Sequence, residues 1–154
     1  PAIVLGRMLS DSIKDMGLSV LIIAVAILLG AGFETGPIGA LVLVAAAGLF
    51  AFVYSGIGMA IALKTGSPQA AQAGFLIFFP LLFLAPTFAP ITVFAKWMEV
   101  VARLNPVTYI LEGMRSLVTS GWDGADLLQG AAATLGLGAV TMTLTALALR
   151  SRTR

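Results

Sequence analysis

With 154 residues, 59% of them hydrophobic and only 10% charged, the chain cannot coat a water-facing surface of its own. An ordinary globular domain is about 45–50% apolar and about 25% charged, so a soluble fold and a disordered chain are both excluded. A net charge of +2 excludes a basic nucleic-acid binder, and the lack of Cys and His removes disulfides, the usual general base and the usual zinc or haem ligands.

Residues 1–15 interleave Val4, Leu5, Met8, Leu9 and Ile13 with Arg7, Asp11, Lys14 and Asp15. That spacing predicts an amphipathic helix in the cytoplasmic interface, with Arg7 and Asp11 paired at i,i+4. It does not match the basic start and apolar centre of a signal peptide. The chain begins at Pro1 and is expected to be cut from a longer polypeptide.

Crossing the hydrocarbon core takes about 20 apolar residues. Four uncharged stretches supply them, giving predicted spans near 16–33, 38–63, 70–89 and 127–149. Gly32, Gly36 and Pro37 break the chain after the first, and Gly66 and Pro68 after the second, which predicts tight hairpins. In the third span Phe75, Phe78, Phe79 and Phe83 surround Pro80. A proline there removes a helical hydrogen bond, and the aromatic cluster is a candidate route for apolar cargo, with plain lipid-facing packing as the alternative.

Between the third and fourth spans, two amphipathic helices are predicted near 91–104 and 106–120. Phe94, Trp97, Met98, Val101 and Leu104 form the apolar stripe of the first, and Glu99 and Arg103 make an i,i+4 pair. Asn105 is a good N-cap and Pro106 suits the first turn of the second. Val107, Ile110, Leu111, Met114, Leu117 and Val118 then form a stripe, with Tyr109, Glu112, Arg115 and Thr119 off it and Gly121 as the stop. Glu112 and Arg115 are expected to pair locally. In the last span Gly130, Thr134 and Gly138 recur every four residues, as Ala47, Ala51 and Ser55 do in the second, the pattern of close helix packing.

Six of the nine basic residues (Arg7, Lys14, Lys64, Arg150, Arg152 and Arg154) fall on one side of this four-span arrangement, which places both ends in the cytoplasm. No phosphate-binding loop occurs, so any use of ATP requires another polypeptide. Spans free of ionisable groups argue against a proton relay.

The segment LNPVTYILEGMRSL, 104–117, resembles the most recognisable stretch of the ABC-2 type permeases, with Asn105, Pro106, Tyr109, Glu112 and Arg115 filling an N-P-x-x-Y-x-x-[ED]-x-x-R-like run. Gly6, Arg7 and Asp11 similarly resemble a G-R-x-x-x-D stretch ahead of that family's third span. The daunorubicin-resistance-like branch is closest in style. The resemblance covers essentially all of residues 1–154 and implies an all-α integral membrane fold, the C-terminal portion of a six-span permease with its first two spans upstream.

It further implies short re-entrant helices before the last span, a second permease copy and a separate ABC ATPase that carries ATP and Mg. Arg7 and Asp11 become candidate ATPase-coupling residues. The implied activity is export of a lipophilic drug, lipid or polysaccharide-like substrate across the bacterial inner membrane, with no enzymatic chemistry and no cofactor in this chain. A non-transporting membrane scaffold is the alternative.

Overall fold

The computed structural model describes residues 2–87 and 91–152, the side chains of a few helical residues excepted. In order, the helices are α1 (Ala2–Leu28), α2 (Gly36–Thr65), α3 (Pro68–Leu84), α4 (Lys96–Leu104), α5 (Pro106–Thr119) and α6 (Gly124–Arg152), with a 3-10 turn at Ile91–Val93. Among the described residues there is no strand, as expected of an all-α membrane fold.

Two helices, α2 and α6, are long and apolar enough to cross a membrane. The other two expected spans differ from prediction. The segment read as a separate amphipathic helix runs unbroken into the first apolar stretch, making the single 27-residue α1. Nothing between them interrupts helical hydrogen bonding, and Asp11, Lys14 and Asp15 are carried on its surface. Helix α1 stops at Leu28 instead of 33, and the link to α2 is longer than a tight turn. Helix α3 stops at Leu84 instead of 89; its 17 residues rise about 25 Å, short of the roughly 30 Å hydrocarbon core. The turn between α2 and α3 is tight, as expected: Gly66 adopts φ 75° and its N–H binds the carbonyl of Ala62. A side chain there would be strained.

Helix α2 is the mast against which α1, α3, α5 and α6 pack. Small residues allow it. Gly48 leaves space occupied by Met16 of α1, and its carbonyl accepts a 2.6 Å bond from Ser12. Gly56 lies where Met8 of α1 and Thr141 of α6 converge, and Thr145 donates to its carbonyl at 2.9 Å. These contacts make α2 antiparallel to α1 and parallel to α6. One end of the bundle therefore carries Arg7, Lys14, Lys64 and Arg150, and is called the basic end here. The opposite, α5 end is tied by Thr35, which donates to the carbonyl of Leu117 at 2.5 Å, and by the Glu34 N–H to the carbonyl of Val118 at 3.2 Å.

The inward face of α1 is not the predicted stripe. Met8 is fully buried and Ser12 nearly so, whereas Leu5, Leu9 and Ile13 are exposed. A hydroxyl that satisfies a facing carbonyl packs inward, leaving the large aliphatics for lipid. The same holds in α4, where Ala102 is buried and Trp97 and Leu104 are exposed. That helix begins at Lys96 instead of 91, so Phe94 precedes it. In α5 the stripe is as expected, with Val107, Ile110 and Leu117 buried. Gly121, at φ 88°, follows its end, its N–H on the carbonyl of Ser116.

Helix α5 crosses α6 at Gly113 and Gly130, each facing backbone of the other helix, and Gly138 faces Val53 of α2. The row at 130, 134 and 138 thus packs helices within one chain. A Cβ on Gly113 would lie 2.9 Å from the Asp126 carbonyl oxygen and 3.4 Å from the Gly130 Cα. Neither neighbour is a flexible side chain, so Gly113→Ala should destabilise by about 1–3 kcal/mol. Gly136 has nothing within 4 Å, and Gly136→Ala should stabilise by up to about 1 kcal/mol. Thermal unfolding in detergent checks the pair; equal melting temperatures would contradict the crossing.

Candidate functional site

Helix α3 ends before it could reach the far side of a bilayer, and its exposed carbonyls need donors. Pro80, inside the helix, already withholds one N–H from the turn before it. At the end, the Leu81 carbonyl accepts from the Ala85 N–H at 3.0 Å, and the Leu82 carbonyl from the Thr87 hydroxyl at 2.7 Å. The remaining donors come from α5. Asn105 donates through Nδ2 to the Leu81 carbonyl at 2.6 Å, and Arg115 donates through one nitrogen to the carbonyls of Pro86 and, at 3.3 Å, Thr87. A cation at the carboxyl end of a helix also meets the negative end of its dipole.

Asn105 acts in two directions. While Nδ2 holds α3, its Oδ1 accepts from the Val107 N–H at 3.0 Å and caps α5, with Pro106 at the first position as expected. Tyr109 donates to the carbonyl of Arg103 at 2.7 Å, tying α5 to the end of α4, where Arg103 and Glu99 pair at 2.8 Å. Four of the five motif residues are therefore brought together at one junction. Ala85 and Val107 are buried within it, against Phe50, Tyr54 and Leu111.

Glu112 departs from expectation. Among the described residues it forms no ion pair with Arg115, whose guanidinium reaches α3 instead. Glu112 lines a polar cavity of about 250 Å³ with Arg115, Ser116, Thr119, Ser120 and Asp126. Burial pushes its carboxyl above the usual carboxylate range, and the charge of Asp126 adds to this, while Arg115 and Arg103 oppose it. One turn earlier on α5, Thr108 is buried and its hydroxyl has no partner among the described residues.

The aromatic cluster is only partly visible. The rings of Phe79 and Phe83 meet at a tilt, 4.8 Å between centroids, and are about half exposed, while the side chains of Phe75 and Phe78 lie outside the described residues. An apolar cleft of about 590 Å³ lies elsewhere, between α1 and α2 at the α5 end, lined by Val20, Ile23, Ile27, Phe33, Pro37 and Leu41. At the basic end, Asp11 lies 3.7 Å from Arg7 and 3.4 Å from Lys14. The expected pair is thus a shared carboxylate between two cations, all on the surface of α1.

Comparison with protein families matches residues 1–119 to the ABC-2 type transporter membrane domain. The chain belongs to the ABC-2 type transporter family. Both motif stretches of this ABC-2 chain, at Arg7 and Asp11 and at Asn105 to Arg115, fall inside the match, which ends with α5. Comparison with curated proteins and with solved structures finds no match. Membership makes it the membrane domain of a transporter of the kind that works with an ABC ATPase.

Several residues at the ABC-2 junction carried no signal in the sequence. Thr87 acts through its hydroxyl on the Leu82 carbonyl and Asp126 lines the cavity beside Glu112 from the next helix, neither at a spacing that periodicity registers. Main-chain carbonyls of Leu81 and Pro86 leave no sequence mark at all.

Asn105→Asp retains the cap acceptor and loses the donor to Leu81, placing a carboxylate against a carbonyl. It should melt below Asn105→Ser, although Asp and Ser cap helices equally well, by about 1–3 kcal/mol of unmet hydrogen bonding. Equal melting temperatures would reduce Asn105 to a cap. Thr108→Val removes an unpartnered buried hydroxyl while keeping the branched shape, and should raise the melting temperature, by up to about 1–3 kcal/mol in stability.

Proposed function

We propose that this chain is the four-span C-terminal portion of an exporter permease, moving a lipophilic substrate and powered by a separate ATPase. The observation that carries the reading is the junction itself. Family-motif residues Asn105, Tyr109 and Arg115 anchor α4 and α5 against the truncated end of α3, the arrangement expected of re-entrant helices, whose backbone is tolerated at membrane depth because protein covers it. On this reading α1 and α3 join α2 and α6 as spans, α1 by tilting with its charged turns in the interface and α3 with its end completed by α5.

The basic end is then cytoplasmic, with Lys64, Arg150 and the Arg7–Asp11–Lys14 cluster facing the ATPase. The chain itself performs no catalysis, and ATP with Mg is held by the partner. A second permease copy completes the substrate route, the apolar cleft between α1 and α2 and the face bearing Phe79 and Phe83 offering contact to drugs or lipids. Location in the bacterial inner membrane follows from the export role.

Cysteines placed at Lys96 and Trp122 should react with a membrane-impermeant thiol reagent applied to intact cells, and one at Lys64 only after the cells are opened. The full-length protein should copurify with an ATPase subunit whose nucleotide-binding lysine is required for export. The reverse labelling pattern would overturn the orientation, and export unaffected by that lysine would overturn the function in favour of a scaffold.

A further inference from the structure

Arg115 has two sets of acceptors around it and uses one. Its bonds to the Pro86 and Thr87 carbonyls engage a single terminal nitrogen of the guanidinium. A guanidinium has five N–H donors in a rigid fork. The same side chain lines the 250 Å³ polar cavity that also contains the Glu112 and Asp126 carboxyl groups. That space gives the side chain room to turn away from α3 toward the two acids. The competition is uneven and depends on charge: an ionised carboxylate offers the guanidinium a full opposite charge and a two-oxygen acceptor, which a neutral carbonyl does not.

We propose that Arg115 is a two-position latch on the carboxyl end of α3, holding its carbonyls while Glu112 is protonated, and swinging into the cavity between α5 and α6, toward Glu112 and Asp126, when Glu112 is ionised. Pro80 supplies the compliance the released end needs, since the helix lacks a backbone bond there. Asn105 keeps its bond to Leu81 in both positions, so release frees the segment after Leu84 without unseating α5.

The groups that face Glu112 are Arg115 on its own helix, Asp126 from α6 and Arg103 from α4, the last already bonded to Glu99. Helix α3 and the 3-10 turn bring no titratable side chain, and Glu34 binds α5 through its backbone N–H alone. Burial first and the Asp126 charge second raise the Glu112 carboxyl. Its proton is therefore taken up above the ordinary carboxylate range as pH falls. The latched state is favoured at low pH and is lost as pH rises through that raised value. The latch is independent of what the protein carries.

The test uses the full-length permease with its ATPase in lipid nanodiscs, spin-labelled at Phe83→Cys and Leu128→Cys. Distances between the labels report whether the end of α3 is held near α6. Lowering the pH from about 8 to about 5 should increase the short-distance population about fivefold, a typical coupling between two sites. The double variant Glu112→Gln with Asp126→Asn should show the short distance at both pH values. Arg115→Gln should show the longer distance at both. A parent protein with no pH response, or a double variant that keeps the parent's response, would overturn the latch. The double variant retains every bond at the α3 end, so it decides the matter even where Arg115→Gln fails to fold.

Discussion

The α5 end of the molecule depends on how α3 is allowed to stop. A helix that ends in an apolar setting exposes carbonyls that nothing in hydrocarbon can satisfy, at several kcal/mol each. Here the donors are side chains, Thr87 from the chain itself and Asn105 and Arg115 from α5. Because Asn105 caps α5 with one atom and holds α3 with another, neither helix end can be completed without the other. The position of α4 follows, through Tyr109 and the Arg103 carbonyl, and so does that of the α1–α2 link, through Thr35 and the Leu117 carbonyl.

The rest of the bundle obeys a related constraint. In a membrane the hydrophobic effect gives helices no reason to associate, so close packing and interhelical hydrogen bonds must do so. Gly48, Gly56, Gly113 and Gly130 let backbones approach, and Ser12 and Thr145 reach across to the carbonyls so exposed. Small residue and hydroxyl occur as facing partners on neighbouring helices. This explains why α1 buries a serine and turns leucines outward.

Much of this was legible in the sequence, and the limits were physical. Hydrophobic runs located α2 and α6 to within a few residues, and the cap chemistry of Asn105, Pro106 and Gly121 set α5 correctly. The apolar stripe of α5 was right because it packs against protein. Those of α1 and α4 misled because in a bilayer the apolar face and the buried face are not the same face. Charge spacing found Glu99–Arg103 and Arg7–Asp11, both local to one helix. It failed for Arg115, whose partners are carbonyls 28 and 29 residues away and carry no residue identity. The family motif marked the right positions without saying what they bind.

The continuity of α1 has a mechanical consequence. Its 27 residues span about 40 Å as one uninterrupted rod, with the Asp11 cluster in its amino-terminal half and Ile27, in the wall of the apolar cleft, near its carboxyl end. A jointed helix would dissipate a sideways push at the bend. This one is hydrogen-bonded without interruption from Ala2 to Leu28, and Met8 and Ser12 press on α2 at the level of the charged cluster. A tilt of α1 imposed at the charged cluster would therefore be carried along the whole rod to the wall of the cleft at the opposite end of the bundle.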